Sequence, residues 1–90
     1  MIIRLSVAIL GNKSNGGVYI ATLEKISDIT PSVGMEIENP AFSTIKKVQL
    51  VSWNTVENHL VVHLDDEQTE DPTALERTKQ AFMEEGWEVP

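Results

Sequence analysis

The spacing of the apolar residues changes about three quarters of the way along this chain, and that change limits the fold more than any other feature. Up to Asp65 the apolar residues alternate in twos, in short runs broken by Gly, Asn and Pro. From residue 71 to residue 86 they recur at helical spacing. Alternation sends successive side chains to opposite faces of a strand, whereas a recurrence near 3.6 makes one stripe along a helix. Strands followed by a single helix belong to the α+β class. The expected architecture is mainly β: a small curled five-stranded antiparallel sheet or partly open barrel with one C-terminal helix. Trp87 and Val89 flank Glu88 in alternation, which offers a short final strand.

The first strand is the clearest. Ile3, Leu5, Val7 and Ile9 share one face, and Arg4, Ser6 and Ala8 share the other. Gly11-Asn12-Lys13-Ser14-Asn15-Gly16-Gly17 follows, and Asn15-Gly16 is a hairpin turn pair because both residues accept positive φ. The loop lacks the spacing of a phosphate-binding fingerprint, and a strand rather than a helix comes after it. Residues 18–23 form the second strand, antiparallel to the first. A turn around Pro31 and Gly34 leads into a short strand over residues 35–38.

Residues 44–54 form the longest strand, and its alternation slips. Val48 and Leu50 share one parity; Ile45, Val51 and Trp53 share the other. A bulge near Gln49-Leu50-Val51 would re-aim these side chains. Trp53 is expected to point away from the face carrying Val48 and Leu50. After a loop at residues 54–58, Leu60, Val62 and Leu64 face one way, and His59, Val61 and His63 the other. The acidic run from Asp65 to Glu70 reads as a solvated connection that ends the strands. Asp71 caps the helix, Pro72 suits its first position, and Glu76 places charge near the positive end of the dipole. Leu75 and Phe82, with Ala74, Thr78 and Ala81, make the buried stripe, and Gly86 terminates it.

Ninety residues set the expectation of one domain, residues 1–90. A chain of this size buries roughly 60–65% of its unfolded surface, so its margin of stability is thin. With no cysteine it has neither disulfides nor thiolate-bound zinc, which fits a cytoplasmic address. The apolar stretch at residues 1–10 alternates and falls short of the roughly 20 residues that span a bilayer, so it reads as a strand rather than a leader or membrane span. Fourteen acidic residues against seven basic ones give a net charge of −7, which argues against direct nucleic-acid binding.

Candidate sites are few. His59 and His63, spaced by four on a strand, stand about 13 Å apart, too far to share one metal ion. Asp65, Glu67, Thr69, Asp71 and Glu76 fall at calcium-loop positions, but Glu70 stands where that loop needs glycine. No serine sits in a nucleophile elbow, and Glu36 and Glu38 share a face that reads as solvated. No metal and no cofactor are expected. Trp53, His59, Val61 and His63 are the candidate binding residues, on a face that Tyr19 and Val51 also join unless the helix covers it. Trp53 and Trp87 are the aromatics of first interest, because tryptophan dominates interface energetics. The expected function is a small soluble binding or assembly module acting through protein contacts, with another protein or with a second copy in a homodimer. The alternative is an acidic inhibitor or nucleic-acid mimic that blocks a basic partner; a small enzyme comes third.

Overall fold

The computed structural model describes residues 1–11 and 17–90. The expected Asn15-Gly16 turn lies outside them. The described elements are β1 (Ile2–Leu10), β2 (Val18–Ile26), β3 (Glu36–Ile37), β4 (Lys46–Asn54), β5 (His59–Leu64), β6 (Glu67–Gln68) and α1 (Pro72–Glu84). The strands form a curled sheet in the order β2-β1-β5-β4-β3, with β6 also against β1. The mainly β, α+β architecture with its C-terminal helix is therefore present. The sheet is mixed rather than wholly antiparallel, because β5 and β6 both run parallel to β1. Alternation marks a half-buried strand in either direction, so it carries no signal for this pairing.

β1 and β2 pair antiparallel over nine residues, from Ile2 opposite Ile26 to Leu10 opposite Val18, so β2 runs three residues beyond the expected end. β5 lies beside Ile3 to Ser6 of β1, and β6 beside Ile9 and Leu10. The two behave as one strand kinked at Asp65 and Asp66. The acidic run is thus part of the sheet, which corrects its reading as a solvated connection. Its Glu67 stands beside Ile9 on the buried face, where a tertiary partner offsets its charge.

The core lies between one face of the sheet and the helix. Ile3, Leu5, Val7 and Ile9 are buried there with Ala21, Leu23, Val48, Val62 and Leu64, beneath Leu75, Phe82 and Trp87. At the start of α1 the Asp71 side chain accepts from the Ala74 N–H at 2.7 Å, and Pro72 occupies the first turn. Glu76 lies beyond the first turn, which holds no acidic residue, so its expected interaction with the dipole is not made there. At the far end Trp87 N–H donates to the Phe82 carbonyl and Gly86 N–H to that of Met83. With Gly86 at φ 89° this is a Schellman motif, and it presses Trp87 onto Phe82 at 5.1 Å between ring centroids. Glu88 then bridges to Thr22, so the final strand is a single bridge at the outer edge of β2. No helix among the described residues is long and apolar enough to cross a membrane.

Candidate functional site

The Trp53 end of the sheet is set by a bulge. Val48 pairs with Leu64, yet Leu50 pairs with His63, so Gln49 is an extra residue in β4. This is the irregularity the slipped alternation anticipates, and it splits the expectation for Trp53, which points away from Leu50 as expected but shares the face of Val48. One extra residue reverses the parity of everything after it. Val51 opposite Val62 and Trp53 opposite Leu60 therefore join the core face with Val48, while Leu50 turns to the other side. Trp53 is nonetheless 66% exposed. It borders a cleft of about 290 Å³ lined by Met1, Asn58, His59 and Leu60.

His59, Val61 and His63 occupy the reverse face, in register with Asn54, Ser52 and Leu50 of β4. The register thus divides the four candidate residues: three share one face and Trp53 stands on the other, as do Tyr19 and Val51. The helix covers the core face, not the reverse one. Trp87 is a core residue, 3% exposed, with its indole N–H directed at Asn39 Oδ1.

Polar groups on the reverse face gather around Arg4. Its guanidinium donates to Glu24 Oε1 at 2.5 Å and lies 3.6 Å from Glu57 Oε2. The hydrogen bond to Glu24 is the main cause that raises the Arg4 pKa and holds the Glu24 carboxyl below its ordinary range. His59 is buried beside them, with Nδ1 3.5 Å from Glu57 Oε2. His59 Nε2 and Arg4 Nε are buried without a hydrogen-bond partner. Exposed ion pairs of this kind organise a surface more than they stabilise it.

A second cluster escapes the sequence reading. Lys46, 2% exposed, donates from Nζ to Glu67 Oε1 at 3.1 Å and to the Asp66 carbonyl at 3.0 Å, and lies over the Phe42 ring. Ser43 donates from its backbone N–H to Glu67 Oε1 and from its hydroxyl to Oε2 at 2.5 Å. The groups satisfy one another, so the cluster reads as a clamp joining the loop before β4 to β6. One signal was available: Lys46 shares the parity of Val48, and a cation on an apolar face needs an anion. The partner lies 21 residues away and is not marked by any pattern.

The acidic run is likewise bound to the protein itself. Asp65 accepts from Lys47 N–H at 2.8 Å and from the Gln49 side chain. Thr69 Oγ1 donates to the Leu10 carbonyl, and Asp71 caps α1. The calcium-loop positions thus turn toward different partners.

Comparison with protein families, with curated proteins and with solved structures finds no match to this chain.

Proposed function

We propose that this chain is a binding or assembly module acting through protein contacts at the Trp53 end of its sheet. The observation that carries the reading is the exposure of Trp53 itself. A large aromatic side chain stands 66% exposed beside a small cleft, on a strand whose Lys46 and Val48 are buried. Tryptophan supplies a large contact area at little conformational cost and is enriched among residues that dominate binding energy.

Trp53→Ala tests this. Loss of a true anchor costs about 2 kcal/mol or more, so affinity for the partner, another protein or a second copy, should fall about thirtyfold. Quantitative affinity capture and sedimentation, run beside a thermal melt, would measure it. Unchanged binding by a folded variant would place the contact surface elsewhere. Binding through Trp53 should also depend little on salt, whereas an acidic mimic of −7 would lose its partner steeply as salt rises.

A further inference from the structure

Two irregularities of the sheet meet on its reverse face. β4 carries Gln49 as an extra residue between the Val48–Leu64 and Leu50–His63 pairs. On the other side of β5, Ser6 pairs with His63 and then Ile9 with Glu67, so Leu64, Asp65 and Asp66 lie beside only Val7 and Ala8. The Gln49 side chain is bonded to Asp65 where the two meet. Bulges re-aim side chains and recur next to active sites. Here they border a cleft of about 520 Å³.

The floor of this cleft is apolar. Ala8 and Ile20 lie opposite each other on β1 and β2, and Leu50 of β4 lies opposite His63. Ile20 is 44% exposed and Leu50 55%. The polar wall is acidic, with Asp65 and Asp66 beside Ser6 and His63, and no Lys or Arg lines it. Asp65 is engaged by the Lys47 N–H and by Gln49. Asp66 accepts from Lys46 through its backbone carbonyl, and its exposed carboxylate has no partner among the described residues. The Lys46 amine itself is held in the clamp with Glu67.

We infer that this cleft binds a small organic cation, a primary amine carried on a short hydrocarbon or aromatic body. Its volume falls within the range of small-molecule sites, which combine apolar walls with a few convergent polar groups. Charge complementarity selects the cation. Two carboxylates without a basic neighbour in the wall repel an anion, and a net charge of −7 draws cations toward the molecule. The exposed Ile20 and Leu50 side chains select the body, because a bare ammonium ion would leave them in water. The ammonium group sits at Asp66 with the Ser6 hydroxyl as a further acceptor, and the body crosses Ala8 toward Ile20 and Leu50. No group of three His, Asp or Glu side chains among the described residues is placed to hold a metal ion there. The cleft lies on the face opposite Trp53, so the inference stands apart from the role proposed for that residue.

The full chain, titrated with butylamine, cyclohexylmethylamine and phenethylamine and followed by amide chemical shifts, tests this. 2-Phenylethanol and phenylacetate carry a similar body with no charge or the opposite one. At least one amine should bind saturably, with shifts at residues 6–8, 20, 50 and 63–66, and the alcohol and the acid should bind at least about tenfold more weakly. Asp66→Asn should weaken the amine about tenfold with the melting temperature unchanged, since this carboxylate has no partner to lose. Asp28→Asn, which removes an equal charge from an exposed position after β2, should not weaken it. Failure of all three amines to saturate, or equal binding of phenylacetate, would overturn the inference. So would binding indifferent to Asp66→Asn, or weakened as much by Asp28→Asn, which would mark attraction by net charge alone. A lysine-rich peptide that binds through Asp66 when no amine does would also overturn it, and would make the cleft a protein-docking surface instead.

Discussion

Breaking the Lys46–Glu67 clamp from one side should destabilise the fold more than any surface substitution. In Lys46→Met the Glu67 carboxylate stays 6% exposed at its side chain, with the Ser43 N–H and hydroxyl as its remaining donors. Removing one partner of a buried pair costs about 3–5 kcal/mol, chiefly because the other charge is left uncompensated. The two Ser43 donors place this case at the lower end, about 3 kcal/mol. In a domain of this size each kcal/mol moves the melting temperature by about 4–8 °C, so the variant should melt about 12–24 °C lower. Lys46→Met combined with Glu67→Gln removes both charges and keeps a polar acceptor for Ser43. The double variant should therefore lose at least about 1 kcal/mol less than the sum of the two single changes. Thermal and urea denaturation of the four proteins would close the cycle. A Lys46→Met loss below about 1 kcal/mol, with additive single changes, would show the pair behaving as a solvated surface contact and refute the reasoning.

Phe82 is fully buried against Trp87 and Phe42, so Phe82→Ala should cost about 3–5 kcal/mol by chemical denaturation, and Asp71→Ala about 1 kcal/mol through the lost cap. Asp65 is held below the ordinary carboxylate range, first by the Lys47 N–H and then by Gln49. Because its folded pKa is depressed, its contribution is present above the unfolded value and is lost as pH falls through the folded one. Melting temperatures measured from about pH 6 down to about pH 2 should fall, and the fall should be smaller in Asp65→Asn.

The sequence by itself determined where the helix and five of the six described strands lie, because periodicity reports which face of an element is dry. Ile3 to Ile9, the Asp71 cap, the Leu75–Phe82 stripe and the Gly86 terminus are all local patterns, and each is found in the structure. Even the bulge in β4 was legible as a slip in alternation. Its consequence was not, since only the pairing of Leu50 with His63 shows that Gln49 is the extra residue and that Trp53 joins the face of Val48. Tertiary structure alone decided that β5 and β6 lie parallel to β1 and that Glu67 is buried against Lys46. Each of these is a relation between segments distant in the chain. Alternation fixes which side of a strand is buried, but backbone hydrogen bonds accept any strand as a neighbour, so the identity and direction of the partner emerge only when the whole sheet is closed against its helix.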